Sequence, residues 1–157
     1  MIVIADTSPI NYLVQIGEVE LLEKLYGQIV IPNAVFEELK SDFAPIVVKK
    51  WISNKPHWLE IKNVNSELDE DLATLDKGEA EAIQIAKELK ADLLIIDEKL
   101  GRKTAKEYGL KIIGTIGVLA LAKEKNLINI SEVIQKLENT SFYISDKLKN
   151  FLLENNQ

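Results

Sequence analysis

The chain has 157 residues, 25 acidic against 19 basic side chains for a formal charge of −6, one histidine and no cysteine. That length suits a single domain spanning 1–157, and no apolar run is long enough to cross a membrane. Without cysteine there are no disulfides, thiolate nucleophiles or cysteine-held zinc or iron–sulfur centres, and with His57 the lone histidine the available chemistry is carboxylate chemistry.

The N-terminus, Met1-Ile2-Val3-Ile4-Ala5-Asp6, has no basic leader and no spaced cleavage site, so the protein is expected to stay in the cytoplasm. Its apolar run ends in Asp6-Thr7-Ser8-Pro9, which reads as a buried strand followed by a helix start with Pro9 at the first position. Further short apolar runs follow: Ile29–Ile31 before Pro32, Leu93–Ile96 before Asp97, and Lys111–Ile113 before Gly114. Between them, helical periodicity covers Val19–Tyr26, Asn33–Lys40, Gly78–Lys90 and Glu98–Tyr108, with a further helix expected over Asp42–Ser53 and a strand over Trp58–Ile61. After Thr115 the pattern is helical, Ile116–Glu124, Ser131–Leu137 and Ser145–Leu153, so 130–157 reads as a C-terminal helical extension. Short apolar strands alternating with helices predict a three-layer α/β/α fold around a mostly parallel sheet. Ligands of such sheets bind beyond the carboxyl ends of the strands, where Asp6 and Asp97 fall.

Helix geometry selects two more acids. At about 100° per residue, Glu38 lies roughly 60° from Val35, on the border of the face that buries Val35, Phe36 and Leu39, whereas Glu37 points to solvent. Glu79 falls roughly 50–60° from the centre of the stripe Ala82, Ile83, Ala86 and Leu89, and Glu81 about 100° off on its other side. Each acid alone has a plainer reading. Asp6 and Asp97 can cap helices, and Glu79 suits a first helical turn. Four acids converging from separate elements repel one another unless a cation is bound, which points to a magnesium or manganese site. In this reading Asp6 and Asp97 are the direct ligands, Glu38 and Glu79 bind metal directly or through water, and Ser8 and Thr7 support them by hydrogen bonds. A net charge of −6 argues against non-specific coating of nucleic acid, but a bound metal reverses the local sign.

The ordered set Ile4-Ala5-Asp6-Thr7-Ser8, Ile31-Pro32-x-x-Val35-x-x-Glu38-Leu39, Gly78-Glu79-Ala80-Glu81-Ala82 and Leu94-Ile95-Ile96-Asp97 resembles the PIN domain, most closely the DUF3368 subgroup of small prokaryotic PIN proteins. The resemblance extends through Gly101-Arg102-Lys103, Gly109-Leu110 and Gly114-Thr115-x-Gly117-Val118-Leu119 to the helical tail. It implies a metal-dependent ribonuclease with Asp6, Glu38, Glu79 and Asp97 as catalytic and metal-binding residues, often the toxin of a toxin–antitoxin pair. The third acid of the wider family is typically an aspartate, and Glu79 takes that place.

Lys99, Arg102, Lys103 and Lys106 share part of one helix face and are expected either to guide an RNA backbone or to form an ordinary solvated face. Arg102 has the fork that suits phosphate. His57 reads as a surface residue, Trp51 and Trp58 as core or interface, and Gly114 and Gly117 as a turn, since no Lys-Ser/Thr signature follows them. Ile130, Val133, Ile134 and Leu137, then Leu148, Phe151 and Leu152, are amphipathic and pack on the domain, a second copy (a homodimer) or an antitoxin. Two other functions compete: a non-catalytic RNA- or protein-binding module, and a phosphotransfer or phosphatase domain with Asp6 as nucleophile. The second lacks an acidic pair before Asp6 and an aspartate two residues after it.

Overall fold

The structure is a computed structural model that describes residues 1–154; the last three residues of the expected extension lie outside the described residues. The elements run β1 (Val3–Ala5), α1 (Thr7–Gln15), α2 (Leu21–Tyr26), β2 (Ile29–Pro32), α3 (Asn33–Lys40), α4 (Ile46–Ser53) and β3 (Leu59–Lys62). After a 3₁₀ turn at Glu70–Leu72 come α5 (Lys77–Glu88), β4 (Leu93–Ile95), α6 (Lys99–Glu107), β5 (Ile112–Ile113), α7 (Thr115–Glu124), α8 (Ile130–Glu138) and α9 (Asp146–Leu153).

The five strands form one sheet in the order β3-β2-β1-β4-β5, and every pairing is parallel. Alternate residues of the strands feed two different cores, as a period of two requires. Val3, Ala5, Ile29, Ile31, Leu59 and Ile95 join the helices α1 to α4 and α7 to α9 on one face. Ile4, Val30, Leu94 and Ile96 meet α5 and α6 on the other. Burial on both faces explains why these strands read as unbroken apolar runs.

The C-terminal helices are part of the larger core. Val133, Ile134, Leu137 and Leu152 are buried in it, whereas Phe151 is exposed. Trp51 and Trp58 pack together at 6.0 Å between ring centroids, and His57 lies at the surface, 3.4 Å from Glu23. No helix among the described residues is long and apolar enough to cross a membrane.

Several expected boundaries move. The helix expected from Asp42 starts at Ile46, with Pro45 as its N-cap, because a residue before proline, here Ala44, is driven out of the helical region. Pro9 is the third residue of α1 rather than the first, Asp6 being the N-cap. Glu98, not Asp97, is the N-cap of α6, which leaves the Asp97 carboxylate available for another helix.

Candidate functional site

β1 has β2 on one side and β4 on the other, so the chain changes direction between the carboxyl ends of β1 and β4. That is the switch point at which open α/β sheets form their crevice. The Asp6 N–H donates to Ile95 O at 2.9 Å, tying the two strand ends together. A cavity of about 450 Å³ opens there, lined by Asp6, Thr7, Ser8, Asn11, Glu38, Asp76, Glu79, Asp97, Glu98 and Lys99. All four acids singled out from the sequence therefore border one space, reached from β1, α3, α5 and the end of β4.

Each is held differently. Asp6 is 3% exposed and its side chain makes no capping hydrogen bond to α1, so the plainer capping role does not account for it. Glu38 is partly open to solvent, and its Oε1 accepts a hydrogen bond from Thr7 Oγ1 at 3.1 Å. Glu79 is 6% exposed, in the first turn of α5. Asp97 accepts from the Thr115 backbone N–H and from Thr115 Oγ1, both at 2.7 Å, and so serves the open N-terminus of α7 from the end of the neighbouring strand. Ser8 lines the cavity. The rejected neighbours are engaged elsewhere. Glu37 pairs with Lys40 at 3.3 Å, and Glu81 accepts from the Ala34 N–H at the start of α3.

Asp76 and Thr115 join the site beyond the residues expected from the sequence. Asp76 is the N-cap of α5, accepting the Glu79 N–H at 2.9 Å. Its signature, Asp76-x-x-Glu79 ahead of an apolar periodic run, is a capping pattern visible in the sequence. Thr115 carried no such local sign, since its partner lies 18 positions away.

Electrostatically the cavity gathers carboxyl groups whose ionised forms are disfavoured, with Lys99 the basic residue in its lining. Burial pushes the Asp6 carboxyl well above its usual range; the Thr7 backbone N–H opposes this, and the charges of Glu79, Asp76 and Glu38 add to it. Glu79 is raised to about 7, chiefly by burial and then by Asp76, with Glu98 contributing. Burial also raises Glu38, against the Thr7 hydrogen bond and reinforced by Asp76 and Glu81. It raises Asp97 against the Thr115 hydrogen bonds and the charge of Arg102.

Residues 2–157 match the family DUF3368, described as a PIN domain. The chain belongs to the PIN-domain family. No curated protein matches it. Among solved structures, a PilT N-terminus domain protein from the hyperthermophilic archaeon Sulfolobus solfataricus P2 is similar, with a TM-score of 0.54 and 19% identity over 92% of this chain and 100% of that one. At that identity the likeness is one of fold. PIN domains are generally metal-dependent nucleases and commonly bind RNA.

Among the described residues of this PIN domain, no group of three or more acidic or histidine side chains is gathered closely enough to hold an ion as it stands. The donor chemistry nevertheless fits a hard divalent cation. Every candidate donor is a carboxylate oxygen, and the charged neighbours that perturb the buried Asp6 are all acids. Without a cation such groups repel one another, which favours a spread arrangement.

Two glycines make close approaches possible. A Cβ at Gly78 would lie 1.9 Å from Glu38 Oε1. One at Gly114 would lie 2.9 Å from both Asp97 Oδ1 and Arg102 Nη1. Beyond Asp97, a second cavity of about 480 Å³ is lined by Asp97, Lys99, Arg102, Lys103 and Lys106, so the basic face of α6 adjoins the acidic site. Arg102 is not a free fork there: its Nη1 donates to Ile96 O at 2.9 Å.

Proposed function

We propose that this PIN domain is a magnesium- or manganese-dependent endoribonuclease that cuts at the carboxylate cavity. The observation that carries the reading is Asp6, a buried carboxylate at the sheet's switch point whose charged neighbours are all acids. A buried charge of this kind is stable only when neutralised by a proton or a cation.

Asp6 and Asp97 would be the direct holders of the ion, with Glu38 and Glu79 binding it directly or through water. A bound ion would supply polarisation of the phosphodiester and activation of a water molecule. The chain's own residues provide alignment. Thr115 fixes the Asp97 carboxylate through two hydrogen bonds, Thr7 steadies Glu38, and Asp76 caps α5 so that Glu79 stays in its first turn. Lys99 and Lys103, both exposed beside Asp97, attract the phosphate backbone, while Arg102 contributes charge from its anchored position. Incubation with unstructured RNA is expected to give internal cleavage with magnesium or manganese and none with chelator; undiminished cleavage in chelator would overturn the metal-dependent reading.

A second reading, a PIN domain that binds RNA without cutting it, is favoured by the spread of the carboxylates. It requires RNA binding with no cleavage at any concentration of either metal.

Gly78→Ala separates alignment from stability. Alanine at this helical position favours the helix by up to about 1 kcal/mol, and the atom it meets is the movable end of Glu38. The variant is expected to melt no lower than the wild type yet to cleave about 10- to 100-fold more slowly, the range typical of disturbed support around metal ligands. Unchanged cleavage would show that Glu38 need not stay where Thr7 holds it.

A further inference from the structure

A third cavity, of about 360 Å³, adjoins the carboxylate cavity and shares Thr7, Asn11 and Glu38 with it. Its chemistry is the reverse of the basic cavity beyond Asp97. No lysine or arginine lines it, whereas four line the other. Its outer wall comes from the turn between α3 and α4, with Ser41, Phe43 and Pro45. The Phe43 ring is 98% exposed, an open aromatic face beside a polar site. On the inner wall, Gln15 Nε2 donates to Asn11 Oδ1 at 3.1 Å, leaving the Asn11 amide NH₂ as a donor.

We propose that this cavity is a nucleobase subsite, in which an unstacked base of single-stranded RNA stacks on Phe43 and accepts a hydrogen bond from Asn11. The inference rests on the nuclease reading and adds where the strand lies. Phosphate is disfavoured here, because no lysine or arginine lines this cavity, whereas Lys99 and Lys103 offer paired charge at the other end. A neutral, flat, hydrogen-bonding group suits the same walls, and single-stranded RNA is recognised by splaying bases onto aromatic faces and reading their edges. The three cavities form a series through shared residues: Phe43 and Asn11, then the carboxylates, then Lys99 and Lys103. A strand crossing the carboxylates therefore has a base at the Glu38 end and phosphates at the Asp97 end.

The test measures binding of a short fluorescent single-stranded RNA to the Asp6→Asn protein in manganese, with Phe43→Ala and Phe43→Trp added separately. Loss of the stacking face is expected to weaken binding about tenfold or more, and tryptophan to restore it. An RNA with an abasic site scanned along its length is expected to remove the difference between Phe43 and alanine at one position only. Equal affinity of Phe43 and Phe43→Ala proteins for intact RNA would overturn the subsite. So would a change of mass by light scattering with RNA affinity unchanged, since the ring would then join two copies of the chain. Absence of RNA cleavage by the wild type with either metal is a separate outcome and bears on the nuclease reading instead.

Discussion

Asp6→Asn is expected to reduce RNA cleavage by on the order of a thousandfold or more while making the metal-free protein more stable at neutral pH. The first effect follows from removing a negative donor at the centre of the cavity, where the stabilisation supplied through a bound ion amounts to several kcal/mol of barrier, at about 1.36 kcal/mol for each factor of ten. The second follows from burial. Asp6 is almost fully enclosed, with Glu79, Asp76 and Glu38 adding repulsion, and its ionised form is disfavoured in the folded chain. Asparagine keeps the shape and removes the charge. Cleavage assays and thermal melts on the same preparation check both halves. A variant that loses activity by unfolding, or that keeps it, would contradict the assignment of Asp6.

The metal-free protein is expected to lose stability as pH rises from about 5 to 8, and magnesium or manganese to restore it. The sign comes from Glu79, whose pKa is about 7 in the folded chain against an ordinary value of 4.5. A carboxyl group that holds its proton more tightly when folded stabilises the fold fully below the unfolded pKa, and that contribution is lost as pH rises through the folded pKa. Each pKa unit of that shift is worth about 1.36 kcal/mol before solvent screening, which reduces it at a group open to the cavity. Asp6, Glu38 and Asp97 act in the same direction. Asp69 and Glu88, held low by hydrogen bonds to Lys87 and Ser66, act oppositely but only at more acidic pH. A divalent cation takes the place of the protons, so the melting temperature should rise with metal at pH 8 and hardly at pH 5, where protons compete. A melting temperature indifferent to metal at pH 8 would remove the case for a cation in the cavity.

The parallel strands were legible because burial on both faces leaves continuous apolar runs, and each run stops where the chain leaves the sheet. Asp6 and Asp97 could be located by that rule alone. Glu38 and Glu79 could be chosen over Glu37 and Glu81 because a helix repeats its faces at a known angle, and the rejected pair is engaged with Lys40 and Ala34. The helix expected from Asp42 begins only at Ile46, because Pro45 keeps Ala44 out of the helical region. Asp76 is marked in the sequence only by its spacing to Glu79, a capping signal common to ordinary helix starts.

Other features had no local sign. Thr115 meets Asp97 only because β4 and β5 pair in parallel and set the start of α7 beside the end of β4. Gly78 is required to be small only because α3 delivers Glu38 against it, forty positions back along the chain. Arg102 carries its charge openly in the sequence, yet turns one arm to the Ile96 carbonyl.

The acidic quartet divides along the same line. Its members, and the edge of the sheet they occupy, follow from short-range periodicity, because hydrophobic spacing and strand ends are encoded within a few residues. Their common cavity, the raised pKa values of Asp6 and Glu79 and the place of Phe43 beside them depend on how distant elements pack, because the burial that leads each shift arises only when elements remote in sequence close over the side chain.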